Sequence, residues 1–345
     1  MLIISIINIK RLSLHKMKKK MSKFNKSTSE HRASIMGLSM LSIMLFHQYF
    51  TSTIPFNLFH NFGYWGVDVF LFLSGMGLVN SLNNNSIKVY FSRRFNRLIP
   101  SCFLCGSLKY IAFLLLGSSV AVLKDGLNIG ILSLLSLDLW FIPTIIILYV
   151  LSPILFILLK KRPFIIVSLI LCIFFANGIF IRPEVGFEWL SPIGIMSWTT
   201  ERLPVFCAGM FIAMKGEWIE DKIRYSVPFL FIAVGFVLIE KAGITFQGIQ
   251  ACQYLSLTIG MPALITTCTT CLDKIPNKLL TPIKFFGIYS LELYLVHEFI
   301  FWSLRVNNNG NSPFLMLILA LMLSCFTAYA CKWLIEKAKH VLQYI

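Results

Sequence analysis

The sequence predicts an all-α fold: a polytopic transmembrane helix bundle of about ten spans with both termini cytoplasmic. Three observations predict it. Apolar residues make up 57% of the chain and charged residues only 13%, with a mean hydropathy of +0.76, whereas a soluble domain carries about 25% charged residues. Apolar stretches long enough to cross a bilayer recur along the whole chain. Lys and Arg collect in alternate connections between them.

The first observation excludes a large soluble domain. The chain has too few polar residues to cover a core in water, so lipid must solvate much of its surface. The formal net charge is +16, from 31 Lys+Arg against 15 Asp+Glu. Such a balance suits nucleic acid or an anionic membrane face. The basic residues lie between apolar spans, which selects the membrane and excludes nucleic acid. The first 30 residues form a basic tail, residues 1–30, ahead of a membrane domain over 31–340. The apolar run near Met1 precedes its charges, the reverse of a signal peptide, and Met17 or Met21 are candidate true starts.

The spans fall near 34–52, 64–82, 98–118, 139–159, 163–181, 201–215, 226–241, 249–271, 284–304 and 312–333, the sixth and seventh being short. Asn, Gly, Pro and Lys punctuate them, as in "NNNS" (83–86), "KKRP" (160–163), "RPEVGFEW" (182–189) and "NNNGNSP" (307–313). With the tail inside and ten helices alternating, 25 of the 31 Lys+Arg fall on the inner side. Lys124, Arg182, Lys241 and Arg305 fall outside, and Lys109 and Arg202 within or at the edge of spans. Pro143, Pro153, Pro204 and Pro262 lie within spans and are expected to kink them or open room beside a cavity. Two C-x-x-C pairs, Cys102/Cys105 and Cys268/Cys271, sit in apolar segments without the polar shell a zinc or redox site needs, so they read as packing residues.

Ionisable groups at membrane depth cost about 2.5–3.5 kcal/mol each on insertion scales and call for a reason. His47 lies 15 residues after Arg32, roughly 22 Å along the first helix, and His297 lies 13 after Lys284, roughly 20 Å along the ninth. Asp68 begins the second helix at a similar depth. An imidazole and a carboxylate meeting there can do general acid–base work. The alternatives are inert, hydrogen-bonded histidines and an Asp68 that serves as a helix cap. The second cluster is "KVYFSRRFNRLIP" (88–100). Its Arg93 and Arg97 share a face at i, i+4 and, with Arg94, suit phosphate groups; a positive-inside anchor on lipid headgroups is the competing reading. A long, thin molecule with phosphates at one end and a reactive group at the other, such as a coenzyme A thioester, would bridge the two clusters.

The sequence also resembles a family. "GYWGVDVFLFLSGMGL" (63–78), "MGLSMLSIMLFHQY" (36–49) and "FSRRFNRLIP" (91–100) are similar to the second-helix, first-helix and Arg-rich motifs of the acyltransferase-3 membrane O-acyltransferases. "DLWFIPTIIILYVLSPIL" (138–155), "ERLPVFCAGMFIA" (201–213) and "GIYSLELYLVHEF" (287–299) follow in the family's order. The resemblance implies transfer of an acyl group, commonly acetyl, from cytosolic acyl-CoA to hydroxyls of a cell-envelope carbohydrate, a glycan or glycolipid, across a bacterial plasma membrane. It implies no permanently bound cofactor. It makes His47 the expected catalytic residue and gives Arg93, Arg94 and Arg97 the CoA phosphates; with His47 as general base, Asp68 or a backbone carbonyl is expected to orient its ring, and an acyl-histidine relay is the alternative. Ser74, Glu201, Arg202 and His297 become substrate-binding candidates, and Ser74 and Trp65 candidate oxyanion donors. The chain departs from the pattern at Met36, where many members carry Arg; Arg32 lies one turn lower. No hydrolase-like domain is expected after the membrane part. A proton-coupled transporter or exporter of a small molecule or glycan precursor is the competing class, since intramembrane His and Asp serve carriers equally well. A structural subunit is the third.

Overall fold

The structure, a computed structural model, describes residues 22–48, 50–51, 56–116, 132–182, 191–306 and 312–342. Met17, Met21, Lys124 and most of the loops at 182–189 and 307–313 lie outside the described residues. Among the described residues every regular element is helical: α1 Lys23–Glu30, α2 Arg32–Phe46, α3 Phe56–Phe62, α4 Trp65–Asn84, α5 Ile87–Leu116, α6 Phe141–Lys161, α7 Pro163–Ala176, α8 Pro192–Glu220, α9 Val227–Lys241, α10 Ile249–Leu272, α11 Asn277–Ile288, α12 Ser290–Val306 and α13 Pro313–Leu342. A π-helical stretch, Asn177–Ile181, extends α7, and a 3-10 turn, Ile223–Ser226, leads into α9.

Helices cover most of each predicted span among the described residues, although the first ends at Phe46 and the ninth is divided in two, and the helices differ in how well they suit lipid. Six are long and apolar enough to cross a membrane: α4, α6, α7 with its π extension, α9 with its 3-10 turn, α10 and α13. The pair α11 and α12 makes a seventh if counted as one span, although it is bent by 75°. The protein is thus a multi-pass membrane protein. The remaining helices fall short for identifiable reasons. α2 has only 15 residues and α8 buries Glu201 and Arg202, whereas α5 places an apolar second half behind the basic segment that includes Arg93, Arg94 and Arg97.

Two helices break where no proline sits. α8 leaves helical geometry at Lys215 (φ −122°, ψ 23°), although its interior proline is Pro204. The single helix expected over 284–304 breaks at Tyr289, between α11 and α12. Just before that break, Gly287 lies against the Ala33 carbonyl and Gly37 against the Ile283 carbonyl, so α2 and α11 touch through their backbones. A side chain at either glycine would push the helices apart, which is why small residues seat such crossings in membranes.

The same device joins α4 to α8, the most extensive helix contact in the described structure. A β-carbon on Gly75 would meet the Phe206 carbonyl, and one on Gly209 the Phe72 carbonyl. Both helices run in the same direction from this crossing. Asp68 is seven residues before Gly75, and Arg202 is seven before Gly209. Two turns along each helix, roughly 10 Å, therefore bring Asp68 and Arg202 together. Arg202 Nη1 donates to Asp68 Oδ1 at 3.1 Å and to Oδ2 at 3.4 Å, with both side chains buried. Other deep charges are answered too: Lys109 Nζ reaches Asp138 at 2.8 Å, and Glu292 accepts from Ser101 Oγ at 2.7 Å. The described cysteines are free thiols, and no group of three metal-ligating side chains occurs among the described residues.

Gly209→Val should lower stability by about 1–3 kcal/mol, the usual cost of overpacking, read as a lower melting temperature of the solubilised protein. Gly235→Ala, with nothing within 4 Å of the added carbon, should leave it unchanged or raise it. Replacing Asp68 alone or Arg202 alone by leucine should cost about 3–5 kcal/mol, because each strands a buried charge, whereas the double replacement should cost clearly less than the sum.

Candidate active site

α2 ends at Phe46 and leaves His47 as its C-terminal cap, with the His47 backbone N–H still donating to the Ile43 carbonyl at 3.1 Å. The next residue ties the chain down. Gln48 is fully buried; its Oε1 accepts from the backbone N–H groups of Phe50 and Thr51 at 3.2 Å, and its Nε2 donates to the Thr51 carbonyl at 2.8 Å and to His60 Nε2 at 3.1 Å. The half-buried His47 ring faces α12, where Nδ1 lies 3.0 Å from Nε2 of the fully buried His297. His297 is gripped on its own helix: Nδ1 lies 3.0 Å from the carbonyls of Leu293 and Tyr294, and its ring packs between Tyr294 and Phe301.

The expected pairing of His47 with Asp68 is therefore not formed. Asp68 is turned toward α8 by the register of the glycine crossing, where Arg202 takes both its oxygens. Arg202 in turn lies 3.8 Å from the Tyr254 ring centre and 5.4 Å from that of Trp140. Beside it, Glu201 pairs with Arg182 at 3.5 Å, and Arg182 lies 3.9 Å over Trp198, which stacks with Trp140 at 4.7 Å. Glu201 and Arg202 thus belong to a charged and aromatic cluster next to Asp68. Trp65 packs on Phe62 and Tyr64.

Below the histidines a pocket with about 720 Å³ of empty space, its open mouth included, runs between α2, α4, α5, α6 and α12. Arg32, Arg94, Arg97 and Ser74 supply polar lining; Met36, Phe70, Phe141 and Ile145 supply apolar lining. Arg32 Nη1 donates to the Leu73 carbonyl at 2.9 Å, next to Ser74, which fixes that guanidinium from α2 onto α4. Ser74 therefore lies at the arginine end. Arg94 lies 5.8 Å from the Tyr149 ring centre, and its Nε is buried with no hydrogen-bond partner. Arg93 is exposed and does not line the pocket, contrary to the expected Arg93/Arg97 face. The tyrosines Tyr90 and Tyr149 draw Arg94 inward, and Arg94 and Arg97 share the pocket at i, i+3.

The far end is aromatic. Phe141 lies eight residues before Tyr149, roughly 12 Å along α6. Its ring is 5.0 Å from that of Tyr294, another lining residue, and Tyr294 is 5.8 Å from His297. His47 and His297 themselves do not line the pocket; one tyrosine ring stands between. The arrangement offers cations for an anionic head, a narrow apolar passage and a paired imidazole beyond it. Arg32 and Tyr294 carry more of the site than the sequence suggested. The one signal for Tyr294 is its place one turn before His297.

Residues 36–337, nearly the whole chain and all of this site except Arg32, match the acyltransferase-3 family, described as an acyltransferase domain. No curated protein and no solved structure matches the chain. A match of that extent, on a helix bundle holding an arginine-lined pocket beside a histidine pair, decides the class: the chain belongs to the acyltransferase-3 family and is a membrane-embedded transferase of acyl groups.

Proposed function

We propose that the protein moves an acyl group, acetyl in the first instance, from cytosolic acyl-CoA to a hydroxyl of a cell-envelope glycan or glycolipid. The observation that carries this reading is the pocket, with Arg32, Arg94 and Arg97 at one end and Tyr294, the neighbour of His297, at the other. Guanidiniums grip the CoA phosphates as bidentate donors. The apolar lining takes the thin arm, and the thioester arrives beside the histidines. Ten spans with both termini cytoplasmic, in a bacterial plasma membrane, put the arginines on the CoA side, as the Lys/Arg bias favours.

His47 is the general base. As the acceptor oxygen attacks the thioester carbonyl, His47 takes the hydroxyl proton; the new C–O ester bond forms, the C–S bond breaks, and the proton passes to the departing CoA thiolate. Donor and acceptor each leave as product and nothing remains on the protein. Asp68, committed to Arg202, supports the site by holding α4 against α8. Glu201 and Arg202, with their aromatic neighbours, form the wall nearest Asp68 and are the candidate acceptor contacts.

Purified protein given acetyl-CoA and glycan should release one free thiol per ester formed. His47→Ala should lower that turnover by about 10²–10⁴-fold. Thiol-free counterflow of a solute in liposomes would establish a carrier instead. Arg94→Ala and Arg97→Ala should each raise KM for acetyl-CoA by about tenfold or more, the worth of a charge-assisted hydrogen bond. Arg93→Ala should leave KM unchanged.

A further inference from the structure

The hydrogen bonds around the histidine pair determine where the protons sit. A backbone carbonyl can only accept. His297 Nδ1 lies 3.0 Å from two carbonyls, of Leu293 and Tyr294, one turn back on its own helix. It must therefore carry the proton and donate to them. In the neutral ring this leaves Nε2 as a bare lone pair. That lone pair faces His47 Nδ1 at 3.0 Å, so His47 Nδ1 must in turn carry a proton and donate it. By the same rule His47 Nε2 is then the bare nitrogen.

We infer that His297 is a positioning residue that relays the polarity of the Leu293 and Tyr294 carbonyls to His47, fixing its tautomer so that Nε2 is the proton-accepting atom. The inference rests on the reading of His47 as the base. It assigns the ring-orienting role first expected of Asp68 to an imidazole on α12. When His47 gains the substrate proton at Nε2, the Nδ1–H bond to His297 stays in place, so no partner has to reorganise during the step. The grip is built into α12 itself. The two carbonyls belong to the same helix as His297, and the flanking Tyr294 and Phe301 rings hold the imidazole edge toward them. The cap geometry of His47 and the closed Gln48 turn hold the other partner.

The test is ¹⁵N NMR of the full-length protein labelled at histidine, recorded above the ordinary histidine titration range, with the His47 signals identified by their absence in His47→Ala. The expected spectrum has protonated Nδ1 and bare Nε2 on both rings. His297→Gln keeps an acceptor oxygen near the former Nε2, and should retain the His47 tautomer and most of kcat. His297→Leu removes the acceptor; His47 should lose its fixed tautomer, and kcat should fall about 100-fold or more with KM for acetyl-CoA unchanged, as expected when a base is held in the wrong tautomer. A wild-type His47 protonated at Nε2, or a His297→Leu protein with the tautomer intact, would overturn the inference. The spectrum needs no acyl donor. Failure of acyl transfer alone would therefore strike the proposed function and leave the tautomer result to stand by itself, and the wild-type spectrum decides even if His297→Leu does not fold.

Discussion

The backbone contact of α4 with α8 is the constraint on which the rest of this bundle depends. Lipid offers no hydrogen bonds and little dielectric relief, so a carboxylate and a guanidinium at depth are tolerable only in each other's company. Glycines at 75 and 209 let the two backbones meet, and the equal seven-residue offsets deliver Asp68 to Arg202. Shift either helix by one residue and both charges are stranded. The contact therefore fixes rotation as well as distance. Ser74 lies on the same helix as Asp68, so fixing α4 also fixes one wall of the pocket, to which Arg32 ties the base of α2.

Much of the bundle was legible in the sequence because apolar run length is a one-dimensional property. Among the described residues helices cover most of each of the ten stretches, six or seven of them long and apolar enough to cross a membrane, and Arg94 and Arg97 line a pocket whose far end reaches Tyr294, the neighbour of His297. What could not be read was pairing, which depends on how helices are rotated about their axes. His47 and Asp68 are close in sequence, yet the side of α4 that carries Asp68 is dictated by glycines on α8, more than a hundred residues away. Arg93 and Arg94 are adjacent, and the choice between them is made by Tyr149 on another helix. The 75° bend at Tyr289 had no proline to announce it and sits instead beside the close crossing of α2 and α11.

Arg32 bears on the departure that the resemblance implies at Met36, where many family members are expected to carry Arg. Both residues line the pocket, one turn apart on α2. The guanidinium at 32 is long enough to lie along α4, and the thioether at 36 adds apolar surface above it. With the charge at 32 and the thioether at 36, a cation stands at the arginine end and the passage toward Phe141 and Tyr294 is apolar. The pocket of this chain is consequently more sharply divided into a charged mouth and a greasy throat than it would be with arginine at 36.

The bend at Tyr289 gives α12 a register of its own. Ser290, its first residue, touches the pocket, and His297 stands seven residues on, roughly 10 Å by the helical rise. The helix is thus a gauge with its zero mark at the elbow, and the separation between the pocket at Ser290 and the imidazole is counted in turns from there. A residue added upstream, in α11, leaves that count untouched. One added between Ser290 and His297 swings the ring about 100° around the axis and points it away from its partner on α2.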